Sequence, residues 1–453
     1  MLPAVAARPL AWVDPAAMFA AGPSRAAHAF WLDAGPDATE GWSWLGVGEP
    51  ETDPAVVDAV ALGAPTPAAS PAGEWGPFRG GWVGWLGYDG AAAGAGAPAV
   101  TDATVPDRMW LRAGRFVAVD HSRRRMWAVA PVSDLDDFAL QASGWAADAE
   151  ASAAPAHAVA SAAPLSDAAP ATATASARVD PAAYADLIGR CRAAIRAGDA
   201  FQLCLTTRFD VPASTPFDPV AVHRRLRSTS SAHHGGLIRS GDVALVSASP
   251  ERFLEAAGGV VRTRPIKGTR PRGRNAADDA ARAAELRASV KERAENVMIV
   301  DLMRNDLSRV CLPATVAVDG LLEVESYPAV HQLVSTVAGR LRPEATVGDL
   351  LAAAFPAGSM TGAPKRSAMT ILHDLEGGPR GVFAGCFGWV GADGALDLAM
   401  VIRSIVLHPG GAYVGAGGGI TWGSDASAEV AEVGLKARAP LAALGATLPP
   451  GWS

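Results

Sequence analysis

The chain has 453 residues, 49% of them hydrophobic and 19% charged, enough to bury a large core in one big or two ordinary domains. Its net charge of -7 argues against nucleic acid or an anionic membrane surface as the main partner and leaves small molecules. No apolar run approaches the ~18 residues of a spanning helix, and no basic region followed by an apolar core opens the chain, so a cytoplasmic protein with no membrane partner is expected.

In chain order, residues 1–145 are rich in Trp, Gly and Pro, and Gly80 to Tyr88 reads as strands and tight turns. The Gly/Ala run at 93–97 reads as a loop. Residues 146–178 are almost wholly Ala, Ser, Pro and Thr, a composition expected of a linker or surface excursion. Patterning sharpens over 179–445. Asp180 is an N-cap with Pro181 at the first helical position, and Tyr184, Leu187, Ile188, Cys191 and Ile195 recur at helical spacing until Gly198. A strand is predicted next, with Phe201, Leu203, Leu205 and Phe209 on one face and Gln202 on the polar face. Cys191, Cys204, Cys311 and Cys386 are far apart, which indicates reduced core thiols rather than a metal cage or disulfide framework.

The chain contains four lysines, Lys267, Lys291, Lys365 and Lys436, in a sequence that otherwise writes its cations as Arg. Lys267 stands in Arg264-Pro265-Ile266-Lys267-Gly268-Thr269. Of the two cations, only an amine can shed its proton near neutrality and attack carbon. Arg262, Arg264, Arg270 and Arg272 flank it and would act on its charge only if they point inward.

Two pairs of glutamates follow. Glu292 and Glu295 lie three apart, as do Glu429 and Glu432, and on helices that spacing puts each pair on one face. Paired carboxylates are also what a solvated helix face carries; as ligands they would supply the hard oxygens Mg²⁺ prefers. Gly415 to Gly419 lies between an apolar strand and the second glutamate helix, where exposed N–H groups would cradle an anion. Gly358 to Lys365 is not a phosphate loop, because Ala363-Pro364 separates the last glycine from the lysine; it marks a helix start.

Seven blocks now stand in order: Phe201-Gln202 with Thr207-Arg208-Phe209; Ser249 to Phe253; Arg264 to Thr269; Lys291 to Asn305; His331 to Ser335; Phe355 to Lys365; and Gly415 to Lys436. Together they resemble the chorismate-utilising enzymes, and the N-terminal Trp31 to Gly35 and Gly80 to Asp89 resemble that family's leading region more weakly. The resemblance implies an α/β (α+β) fold with two packed, antiparallel-rich sheets around a central cleft and helices outside. It makes 1–145 the N-terminal region of the synthase fold and 179–445 the chorismate-binding catalytic domain.

Within the family, members that add water carry lysine where this chain has Gln202, and those that add ammonia carry Gln. Anthranilate and isochorismate synthases carry Ala at the position of Lys267, whereas Lys resembles the aminodeoxychorismate synthase branch, which serves para-aminobenzoate and folate synthesis. The resemblance implies Lys267 as covalent nucleophile, Glu251 as general acid for the departing hydroxyl, and His331 close to the ring. It places Glu292, Glu295, Glu429 and Glu432 around Mg²⁺, with Lys436, Gly417, Gly418 and Gly419 near it. Arg403 and Tyr413 would hold the enolpyruvyl carboxylate, and Gln202, Thr269 and Thr361 complete the substrate-binding set. The chain departs from the pattern at Gly423-Ser424-Asp425-Ala426, where relatives read Asp-Ser-Asp-Pro, and at Val430, where an aromatic is usual. Trp31 to Ala34 departs from the Leu-Leu-Glu-Ser of tryptophan-inhibited relatives, which argues against feedback by tryptophan. No glutaminase motif with Cys between glycines appears, so ammonia is expected from a separate glutaminase subunit acting beside chorismate. Anthranilate synthesis and a non-catalytic scaffold for such a subunit are the competing readings.

Overall fold

The computed structural model describes residues 4–63, 74–153, 173–230, 232–327 and 330–452. The helix Pro181–Ala197 begins and ends as its sequence predicts: Asp180 accepts from the Ala183 N–H, and Gly198 closes it in the left-handed conformation. Likewise Ser289 caps Val290–Ser308 and Asp425 caps Ala426–Ala443, the two helices that carry the glutamate pairs.

Apart from a parallel pair of short strands, Ala173–Thr174 beside Ala446–Thr447, the described strands form one antiparallel network that forks at Arg108–Asp120. One arm runs from that strand through Trp42–Pro50, His28–Asp33, His234–Ser240, Val243–Ser249, Ser404–His408 and Gly411–Ile420 to Gln202–Pro212. The other runs through Gly81–Leu86, Cys386–Gly391, Leu396–Met400, Arg252–Ala257 and Val260–Thr263 to Val330–Arg340, which also pairs with Ile266–Pro271 and Ala317–Ser326. The arms pack as two sheets. Trp44 of the first lies 6.0 Å from Trp389 of the second, and Phe78 fills the space between Trp389 and Phe116. Helices cover the first sheet's outer face through Tyr184, Val222, Ala142 and Val433. Among the described residues no helix is long and apolar enough to cross a membrane.

Three expectations change. The helix Leu135–Ala153 runs past residue 145, and Ala146 and Ala149 are buried, so 146–153 is helix rather than linker; alanine is a strong helix former, and its small face packs closely on the sheet. Residues 173–178 carry short strands at 173–174 and 176–177, and the rest of the expected linker, 154–172, lies outside the described residues. The helix Tyr88–Gly94 takes in the start of the Gly/Ala run expected to be a loop. The strand Gln202–Pro212 is covered on both faces: Gln202 is fully buried and Phe201, just before it, is exposed. Alternation signals a polar face only where that face is solvated, and this strand sits between a helical layer and the inner wall of a cavity. Residues 1–145 interleave with the remainder, since His28–Asp33 pairs with His234–Ser240 and Gly81–Leu86 with Cys386–Gly391.

Candidate active site

A cavity of about 810 Å³ opens where the ends of the two sheets meet the glutamate helices. Lys267 enters it from the strand Ile266–Pro271. Register slips between Lys267 and Thr269, and Gly268 sits at φ 80°, where a Cβ would come within 2.8 Å of Leu286 and 3.0 Å of Glu292. A bulge built on glycine thus aims successive side chains, Lys267 and Thr269, into the same space. Glu251 faces it from the turn before Arg252–Ala257, held by a 3.0 Å hydrogen bond that Ser359 donates to Oε1. Gln202 lies beside it: a Cβ on Gly419 would stand 2.5 Å from Gln202 Nε2 and 3.6 Å from Lys267 Nζ. Neither polar atom of the Gln202 amide has a hydrogen-bond partner, although the side chain is wholly buried. Such an orphaned amide beside a cavity suits a ligand.

Gly417, Gly418 and Gly419 line the wall as extended strand, paired with Thr206, Leu205 and Cys204, and not as the anion-cradling loop expected. Their lack of side chains serves close approach, because a Cβ on Gly418 would meet Glu429 and one on Gly417 would meet Thr206. Lys436 donates to the Gly417 carbonyl at 2.8 Å and pairs with Glu432 at 2.6 Å. Arg403 also lines the cavity, at φ 53°, a conformation that costs a non-glycine residue free energy and clusters at ligand sites.

Other expected residues are not brought to the cavity. His331 is buried on the opposite face of its strand from Val330 and Gln332, which do line it; its Nδ1 meets Ser326 at 2.8 Å and its Nε2 meets Asp279 at 2.9 Å. The Tyr413 hydroxyl accepts from the Val382 N–H behind the wall, with Arg208 stacked 3.7 Å from its ring. Thr361 donates to the Ala357 carbonyl and fixes a turn. Lys365 bonds Asp306 at 2.6 Å and is structural. Of the arginines flanking Lys267, Arg264 pairs with Glu325, Arg272 with Asp279, and Arg270 with Glu285 and Glu292. Their charges are spent on carboxylates rather than on the amine.

The sequence reading missed Ser359 and the buried pair Glu376–Arg380. Arg380 bonds both oxygens of Glu376, the Met360 carbonyl and the Cys204 carbonyl, which ties the turn bearing Ser359 to the Gln202 strand. Ser359 lay inside the Gly358 to Lys365 block, and its hydroxyl was the available signal.

Burial raises the pKa of Glu251, against the opposing pull of Lys267, the Ser359 hydrogen bond and Lys436. Burial raises Glu295 too, again against Lys267 and Lys291. For Glu432, burial is outweighed by Lys436, Lys291 and Lys267, and its pKa falls. Among the described residues no three potential ligands already converge on a point. The donor chemistry nevertheless suits a hard cation. Glu292, Glu295, Glu429 and Glu432 line one cavity from two helices, and Glu295 Oε1 is buried without a hydrogen-bond partner.

These features define an enzyme-like cleft that brings together an amine, a buried carboxyl group and a carboxylate cluster. Residues 43–442 match the chorismate binding enzyme family, and the chain belongs to that family. It is 42% identical over 376 residues to an aminodeoxychorismate synthase of Streptomyces pristinaespiralis, covering 81% of this chain and 51% of that one. It is 41% identical over 377 residues to an anthranilate synthase component 1 of Streptomyces coelicolor, covering 81% and 73%. The chain therefore spans about half the length of the two Streptomyces aminodeoxychorismate synthases it matches, that of Streptomyces pristinaespiralis and that of Streptomyces griseus. The crystal structure of anthranilate synthase component I from Streptococcus pneumoniae superimposes with a TM-score of 0.70 at 27% identity, over 97% of this chain and 93% of that one.

Proposed function

We propose that the chain aminates chorismate to 4-amino-4-deoxychorismate and retains the enolpyruvyl side chain. Ammonia comes from a separate glutaminase subunit, and the product feeds para-aminobenzoate and folate synthesis. The observation that carries this reading is Lys267, an amine in the cavity wall beside the orphaned amide of Gln202.

The Lys267 amine attacks C2 of the ring through its nitrogen lone pair. The double bond shifts, the C4–O bond breaks, and Glu251 gives its proton so that the hydroxyl leaves as water. Ammonia then attacks C4, the double bond shifts back, the C2–N bond to Lys267 breaks with its electron pair returning to the amine, and a proton from the new C4 ammonium returns to Glu251. Net consumption is one chorismate and one ammonia, with one water released. The raised pKa of Glu251 supports its part, since a proton donor must keep its proton to higher pH than an exposed carboxyl group does. Arg403 offers its guanidinium to the enolpyruvyl carboxylate. Glu292, Glu295, Glu429 and Glu432 would hold Mg²⁺, which when bound neutralises and orients the ring carboxylate.

Anthranilate synthesis is the second reading, favoured by the 41% identity to an anthranilate synthase component 1 and opposed by Lys267. Product analysis with chorismate, Mg²⁺ and an ammonium salt separates the two. Amination at C4 leaves pyruvate at background, whereas stoichiometric pyruvate with a fluorescent anthranilate product sinks the proposal.

A further inference from the structure

The ammonium of Lys291 stands between the two glutamate helices. Its Nζ lies 3.6 Å from Glu429 Oε1 and 3.9 Å from Glu295 Oε1, one carboxylate from each pair. Those carboxylates are nine-tenths or more buried, whereas the Lys291 side chain is 54% exposed. Two facing, buried carboxylates repel each other unless a positive charge lies between them. Arg270 and Lys436 already pair with the other two carboxylates, Glu292 and Glu432. Lys291 is the cation shared across the helix–helix gap, on a long flexible side chain with room to swing outward.

We propose that Lys291 is a resident counter-ion for the carboxylate cluster, which a divalent cation displaces on entry and which thereby sets the cluster's metal affinity. The inference rests on the reading of the four glutamates as a metal shell. A cation entering between Glu295 and Glu429 meets the Lys291 ammonium at contact distance from both, so both charges cannot remain there. Once displaced, the ammonium moves into solvent. Lys291 is thus a positioning residue: without metal it holds the two helices at the spacing that the metal later takes over. Its charge lowers affinity and keeps the shell assembled when metal is absent.

The test uses the full chain stripped of metal by chelation, with Mg²⁺ alone as probe. Calorimetry should show Lys291→Met binding Mg²⁺ at least about fivefold more tightly than wild type, the order expected when one adjacent like charge is removed. Lys291→Arg should stay near wild type, and metal-free Lys291→Met should melt earlier than wild type and recover with Mg²⁺. A second measurement needs no variant. Because the chain has four lysines, amine acylation read by peptide mass spectrometry follows each one, and Mg²⁺ should raise labelling of Lys291 relative to Lys365. Equal or weaker Mg²⁺ binding by Lys291→Met, or labelling of Lys291 unchanged by Mg²⁺ that binds, overturns the counter-ion role and leaves the metal shell standing. Absence of Mg²⁺ binding in wild type and variant alike overturns both.

Discussion

Ser359 donates a 3.0 Å hydrogen bond to Oε1 of Glu251, which fixes the carboxyl group at the cavity wall while burial raises its pKa. The acid therefore stays protonated above the usual carboxylate range, and its proton-donating form is lost as the pH rises through the raised value. Turnover should fall on the alkaline side for that reason. Glu251→Gln keeps the size and the bond from Ser359 but has no proton to give. A loss of at least about a hundredfold in kcat, with disappearance of that alkaline limb, is expected. A pH–rate profile of the two proteins checks it; an unchanged limb would remove Glu251 from the proton transfer.

The four glutamates lead to a second expectation. Glu295→Ala and Glu432→Ala should each cost at least about tenfold in activity, and excess chelator should abolish turnover. Added Mg²⁺ should restore the chelated wild type. Full activity in chelator would show that the cluster serves another purpose.

Stability should concentrate in the buried pair Glu376–Arg380. Arg380→Met leaves a buried carboxylate without its partner, a change that costs about 3–5 kcal/mol and should lower the urea midpoint markedly. Arg380→Met combined with Glu376→Leu should recover part of that loss, because no uncompensated charge remains. Unfolding curves for the three proteins decide the matter.

Ammonia supply can be tested on the purified chain, which should use ammonium salts and leave glutamine untouched until a glutaminase subunit is added. Hydrolysis of glutamine by the chain alone would reveal an active site that this account lacks.

The boundaries of the helix Pro181–Ala197 were legible because both of its caps, Asp180 with Pro181 and then Gly198, are written in the sequence. The glutamate pairs were legible because helical spacing sets their faces whatever the tertiary context. Gln202 was misplaced on a solvated face, because alternation along a strand cannot tell bulk water from the inner wall of a cavity lined by other parts of the chain. The glycines at 417–419 looked like a loop, since only the partner strand Gln202–Pro212, some 200 residues away, shows them to be paired. His331 and Tyr413 carry motif signatures, yet local sequence does not say which strand face meets the cavity. Arg380 was not legible because, beyond Glu376 four residues earlier, its partners are the backbone carbonyls of Met360 and Cys204, which sequence does not bring near it.

The central claim is that Lys267 attacks the ring. Intact-protein and peptide mass spectrometry during turnover with chorismate, Mg²⁺ and limiting ammonia tests it most directly, together with the rates of Lys267→Ala and Lys267→Arg. The account predicts a ring adduct on the peptide containing Lys267, and loss of aminodeoxychorismate formation in both variants while chorismate still binds. Near-wild-type turnover by Lys267→Ala, with no adduct on the wild-type peptide, would contradict it.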